Sequence, residues 1–243
     1  MPPLHAKDRV IDEALAPASV GDAASRALSE TVVENDFVAD VYRNISSWYD
    51  LLFGPLLHPG RLRALERMDL QPGDEVLEVG VGTGINACLY PAGCNVTGID
   101  LSASMLDKAR RRIARKGVQN VRVLEMDAAN IEFPDGAFDL VYAPYLINVV
   151  PDPLAVASEM IRVCRPGGRI VFLNHFLSQG PIMSRVDRLM SPLTVHIGFK
   201  SDLDLSAFLA QARLEPISIE HVNVGKIWQL VTCEKPSGES PDR

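Results

Sequence analysis

The chain has 243 residues, 47% of them hydrophobic, and a formal net charge of −7. That length suits one α/β domain with some decoration, and the apolar content is enough for a sizeable core. The acidic balance excludes nucleic acid as the main partner, because neutralising phosphates needs a basic surface. No apolar run approaches the ~18 residues that would span a bilayer, and the first residues lack the cationic-then-apolar order of a signal peptide, so neither is expected.

In chain order, residues 1–29 are rich in Ala, Pro, Ser and Asp without period and read as a flexible tail. From Glu30 to Phe53 the apolar residues Val33, Phe37, Val41, Ile45, Trp48 and Leu52 recur at three- and four-residue steps, which predicts a helix with a continuous apolar face. Gly54-Pro55 breaks it, Pro59-Gly60 opens a second helix from Arg61 to Met68, and Pro72-Gly73 marks a turn. Strands and helices then alternate: strand 75–79, helix 84–91, strand 95–99, helix 102–115, strands 121–125 and 138–143, helix 153–163 and strand 169–174. Residues 177–200 interrupt the alternation with Pro181, Pro192 and Gly198 among apolar residues and the bases Arg185, Arg188, His196 and Lys200. Helix 202–212 follows, then strands 216–222 and 227–233, close enough to form a hairpin, and a flexible tail over 236–243. The pattern predicts an α/β fold, a Rossmann-like doubly wound and mostly parallel seven-stranded sheet with an antiparallel C-terminal hairpin. Residues 30–72 would form a helical lid and residues 73–235 the main domain, with 177–200 as an insertion.

Residues 76–84 read VLEVGVGTG, and a second apolar run, Val96 to Ile99, ends in Asp100. The glycines Gly80, Gly82 and Gly84 let the chain turn sharply where backbone approaches a ligand. A carboxylate at the second strand's carboxyl end is placed to accept hydrogen bonds from a ribose diol. The spacing is G-x-G-x-G, not the G-x-G-x-x-G that aims a helix at a pyrophosphate, and Glu78 ahead of the turn would repel phosphate and attract an amine or sulfonium. In open α/β sheets ligands bind beyond the carboxyl ends of the strands. That rule selects Tyr145 and Asn148 after the fourth strand and His175 after the fifth; each either faces the reacting group or makes a structural hydrogen bond. Tyr42 and Tyr49 on the first helix either close the site from above or pack on that helix's apolar face. Cys88, Cys94, Cys164 and Cys233 show no C-x-x-C spacing and read as reduced, mostly buried thiols, and no spaced ligand set predicts a metal.

The acid-GxGxG turn followed by Asp100 resembles the class I S-adenosylmethionine-dependent methyltransferases, and later stretches fit in the same order: Met126-Asp127-Ala128, Phe138 to Tyr142 as a fourth strand, and Arg165-Pro166-Gly167-Gly168 as the turn before a fifth. The resemblance implies S-adenosylmethionine as cofactor and S-adenosylhomocysteine as product. It implies cofactor contacts at Glu78, Gly80, Gly82, Gly84, Asp100, Leu101, Met105, Asp127 (toward the adenine amino group), Ala128 and Tyr49. Tyr145, Asn148, His175 and Tyr49 would then serve the transfer itself. Trp48 to Gly54, Asn148 to Pro153, and Asn174-His175-Phe176 further resemble the soluble, peripheral bacterial phosphatidylethanolamine N-methyltransferases. That likeness implies a phospholipid substrate, methylated toward phosphatidylcholine, and a monomeric cytoplasmic enzyme at the inner face of the membrane. Tyr42, Trp48, Arg185, Arg188 and Lys200 would then meet substrate or lipid. A small-molecule enzyme of the quinone-precursor C-methyltransferase type, and a non-catalytic cofactor-binding protein, are the alternatives.

Overall fold

The computed structural model describes residues 57–176, 203–223 and 227–237. The chain separates into two units, 1–32 and 33–243, and every described residue belongs to the second. The elements in order are helix α1 (57–68), β1 (Glu75–Val79), a single 3-10 turn (Asn86–Cys88), β2 (Asn95–Asp100), α2 (Ala103–Lys116), β3 (Val121–Glu125), β4 (Phe138–Pro144), α3 (Pro153–Val163), β5 (Cys164–His175), α4 (Leu205–Ala212), β6 (Pro216–Val222) and β7 (Trp228–Glu234).

The seven strands form one sheet in the order β3-β2-β1-β4-β5-β7-β6. Pairing is parallel from β3 through β5, and β7 runs antiparallel to both β5 and β6. Val76, Leu77 and Val79 of β1 are wholly buried. That is why the strand reads as an unbroken apolar run: a parallel sheet is covered on both faces. Val171 of β5 packs in one cluster with Ala64 and Met68 of α1. Its neighbour Phe172 meets Phe208 of α4 edge-on, with ring centroids 5.4 Å apart. Successive strand side chains point to opposite faces, so α1 and α4 cover opposite sides of the sheet.

Helix boundaries follow their caps. Ser102 accepts from the Met105 N–H at the start of α2, and Gly117 ends that helix with φ of 65°. Asp152 accepts from Leu154 and Ala155 N–H at 3.0 and 2.9 Å at the start of α3, with Pro153 in its first turn. Asp204 caps α4 through the Ala207 N–H, so that helix begins at Leu205, later than the predicted 202.

Three other predicted elements differ. The helix expected over 84–91 is a turn with one 3-10 segment, Asn86–Cys88. Gly84 at φ of 72° and Pro91 bound a stretch too short to hold a helix, and Asn86 and Tyr90 within it spend their side chains on Glu78. The helix expected from Arg61 begins at 57, so Pro59 lies in its first turn, where an N–H has no helical partner to lose. The turn expected at Arg165 to Gly168 is an irregularity inside β5. Cys164 pairs with Phe138 and Arg169 with Leu140, and a two-way bond between Gly167–Gly168 and Lys235 holds the excursion. The helix expected over 30–53 and the insertion 177–200 lie outside the described residues.

Candidate active site

The sheet order reverses at β1: the chain winds outward through β2 and β3, then crosses to the other side of β1 for β4. The loops leaving β1 and β4 therefore diverge and leave a crevice at the strands' carboxyl ends. A cavity of 340 Å³ opens there, lined by residues that follow β1, β2, β3 and β4 and by Arg61 of α1.

The glycine turn after β1 forms its floor. Gly82 has φ of 54°, a Cβ there would meet nothing within 4 Å, and its N–H donates to Asp100 Oδ2 at 2.8 Å. Gly82 therefore presents bare backbone to the cavity. Gly84 does something else: a Cβ on it would come within 2.9 Å of Ala109, so its lack of a side chain lets α2 close on the turn. Gly80 is packed under Leu146.

Asp100, at the end of β2, accepts from Gly82 N–H on one oxygen and from Ser102 N–H at 2.9 Å on the other. Both oxygens keep a lone pair for a diol. Burial raises its pKa, and the two backbone N–H groups work against that rise. Leu101, Met105, Asp127 and Ala128 line the same cavity, and Asp127 also accepts from the Ala129 N–H at 2.8 Å.

Glu78 lies beneath the turn, 1% exposed, and does not line the cavity. Its oxygens accept from Asn86 Nδ2 at 2.7 Å and from the Tyr90 hydroxyl at 2.8 Å. Burial pushes its pKa up to about 7, against the pull of those two bonds and of the Arg61 charge.

Beyond β4, Tyr145 lines the cavity with φ of 57°. Its hydroxyl donates to the Leu57 carbonyl at 2.8 Å and accepts from Asn223 Nδ2 at 3.0 Å. Asn148 is fully buried away from the cavity, and its Nδ2 donates to the His175 carbonyl. His175 is 8% exposed at the end of β5, opposite Trp228, and does not line the cavity either. The structure thus gathers Gly80, Gly82, Asp100, Leu101, Met105, Asp127, Ala128 and Tyr145 around one cavity. It places Glu78, Gly84, Asn148 and His175 behind its walls. Tyr42, Trp48, Tyr49, Arg185, Arg188 and Lys200 lie outside the described residues. Arg61, Asn86, Tyr90 and Asn223 were not singled out from sequence. Asn86 and Tyr90, four apart just after the glycine turn, were the one available local signal.

These residues suit a nucleoside: a carboxylate with spare lone pairs at β2, a second acid after β3, and bare backbone at Gly82 between them and β4. A model described as a methyltransferase domain matches residues 77–172. The chain is 36% identical over 198 residues to the phosphatidylethanolamine N-methyltransferase of Cereibacter sphaeroides, covering 80% of this chain and 97% of that one. It is 31% identical over 202 residues to the ubiquinone/menaquinone biosynthesis C-methyltransferase UbiE of Burkholderia mallei (strain SAVP1), covering 77% and 82%. The YcgJ protein of Bacillus subtilis shares the fold, with a TM-score of 0.63 at 18% identity over 74% of this chain and 99% of that one. The chain belongs to the S-adenosylmethionine-dependent methyltransferases. It is a methyltransferase whose cofactor is S-adenosylmethionine.

Proposed function

We propose that the enzyme methylates the amine of phosphatidylethanolamine and of its methylated intermediates, toward phosphatidylcholine. The observation that carries this reading is the 36% identity to a phosphatidylethanolamine N-methyltransferase across 97% of that protein. Bound S-adenosylmethionine would supply an electrophilic methyl on sulfur. Asp100 and Asp127 would hold the nucleoside, and Gly82 the backbone surface beside it.

What the chain must do for an amine acceptor is align it and strip its proton. A primary ammonium has a lysine-like pKa near 10 in water. Tyr145 is poorly placed to take that proton, because its hydroxyl already donates to Leu57 and accepts from Asn223. Desolvation by the apolar wall of Leu146, Val149 and Val150 is the better means, since burial disfavours the charged form. The Tyr145 ring then serves as a wall and as a face that attracts a methylated ammonium. Asn148 and His175 act from behind that wall, fixing the loop after β4 to the end of β5.

Residues 30–53 and 177–200 would carry the membrane contact, through the apolar face with Trp48 and through Arg185, Arg188 and Lys200. Among the described residues no helix is long and apolar enough to cross a membrane.

The test incubates the full chain and labelled S-adenosylmethionine with phosphatidylethanolamine vesicles, and separately with a demethylated quinone precursor. Label in mono-, di- and trimethylated lipid is expected. Label only in the quinone product would establish the second reading, which the 31% relative favours.

A further inference from the structure

The turn after β1 carries Gly80, Gly82 and Gly84 at φ of 78°, 54° and 72°. Glycine takes either sign of φ at little cost, so the peptides between these residues rotate unless outside bonds hold them. Bonds to β2 hold the first half of the turn. Gly80 and Val81 N–H donate to the Ile99 carbonyl at 2.8 and 3.0 Å, and Gly82 N–H donates to Asp100. The Thr83–Gly84 peptide is held differently. Its N–H donates within the turn, to the Val81 carbonyl at 3.0 Å, and its carbonyl accepts from Arg112 Nη1 of α2. The same Nη1 donates to the Thr83 hydroxyl at 2.9 Å.

Helix α2 is a firm base for that clasp. Leu106 and Ala109 are wholly buried and pack with Val81 of the turn. Ala109 lies against Gly84, and the capping residue Ser102 donates its N–H to Asp100. Arg112 itself does not line the cavity, whereas Thr83 does, between Gly82 and Ile85. The guanidinium therefore acts on the cofactor site through the peptide it holds. It stays charged at any working pH, and a bond from a charged donor is roughly twice as strong as a neutral one. Rotation of the Thr83–Gly84 peptide would break the Arg112 bond and the Gly84–Val81 bond together, so Arg112 sets which way that peptide points.

We propose that Arg112 is a positioning residue for the methyl-transfer reaction: it clasps the Thr83–Gly84 peptide to α2 and so pre-sets the glycine turn before S-adenosylmethionine arrives. The entropy of ordering the turn is then lost on folding and not on binding, which raises affinity without any contact between Arg112 and the cofactor. The role rests on the methyltransferase class alone, whatever the acceptor.

Arg112→Met keeps an apolar stem and removes both bonds. Calorimetry with S-adenosylhomocysteine should read a loss of about tenfold in affinity. Amide hydrogen exchange separates this role from a general loss of stability. In cofactor-free Arg112→Met the Gly84 N–H should exchange faster, and bound S-adenosylhomocysteine should slow it again. The Gly73 N–H, bonded to the Gly93 carbonyl at the amino end of the sheet, should keep its rate. Unchanged affinity would overturn the proposal, and so would Gly84 and Gly73 speeding up together. If Arg112→Met does not fold, Arg112→Lys carries the test. Its ammonium returns a charged donor but not the planar fork, so a smaller loss of about threefold is expected, again with faster exchange at Gly84 alone. Arg112→Lys with both the affinity and the Gly84 exchange of the unmodified protein would then overturn it.

Discussion

At the scale of single residues, the two carboxylates of the acid-glycine turn have opposite environments. Asp100 is tied by two backbone N–H groups and faces the cavity; Glu78 is sealed beneath it. Asp100→Ala should weaken S-adenosylhomocysteine binding roughly tenfold or more, since each charge-assisted bond is worth about 1.5–3 kcal/mol, and calorimetry would read this directly. Burial raises the Glu78 pKa from the ordinary carboxylate value of 4.5 to about 7, so between those values the folded state holds more protons than the unfolded state. Its contribution to stability is therefore full below about pH 4.5 and is lost as pH rises through about 7. In the cofactor-free protein this group should make the melting temperature fall across that interval, and Glu78→Gln should flatten that part of the profile. An unchanged slope in the variant would show that another group titrates there. The acid before the glycines and Asp100 were legible in sequence because both lie in short local motifs. Arg61, Asn86 and Asn223 were not. Their partners lie 25 residues away for Arg61 with Asn86, and 163 and 78 residues away for Asn223 with Gly60 and Tyr145. Nothing in the local pattern records such bonds.

At the scale of elements, the tie between α1 and the β6–β7 turn controls the cavity's upper wall. Asn223, at φ of 62°, accepts from the Gly60 N–H and donates to the Tyr145 hydroxyl, which in turn holds the Leu57 carbonyl. Asn223→Gly tolerates that φ and removes only the side-chain bonds. It should cost about 1–2 kcal/mol in denaturant unfolding. It should also weaken S-adenosylhomocysteine binding, because the same bonds hold Tyr145, which lines the cavity. A Cβ on Gly60 would come within 2.8 Å of both the Asn223 amide and the Tyr145 hydroxyl, so Gly60→Ala should reproduce both effects. Strand positions could be read closely because buried apolar runs end in acids or glycines. The helix expected after Gly84 failed because its residues are recruited by Glu78, and the turn expected before β5 failed because Lys235 holds it within the strand. Both corrections come from tertiary bonds that override local preference.

At the scale of the molecule, the alternation of strands and helices was enough to predict a doubly wound sheet with a terminal hairpin, and the strand order agrees. The substrate was less legible, because the segments expected to meet it, 30–53 and 177–200, offer apolar and basic residues whose chemistry alone fixes no partner, and only the short Trp48 to Gly54 resemblance points to one. Among the described residues no group of three or more His, Cys, Asp or Glu is arranged to hold a metal ion. Methyl transfer from a sulfonium to an amine rests on alignment and desolvation. Activity should therefore survive treatment with a strong chelator, and loss of activity restored by magnesium would instead point to a metal-assisted acceptor.

The place of β7 between β5 and β6 has a consequence for how the protein is made. A ribosome delivers β6 before β7, yet β6 touches the sheet only through β7. Until residues 228–234 emerge, the nascent chain carries β5 as an open edge and β6 without a partner, so the sheet closes only when a late-synthesised strand slots into its interior. A ribosome stalled before Trp228 would hold a chain with an exposed strand edge, a natural target for chaperones and a starting point for aggregation.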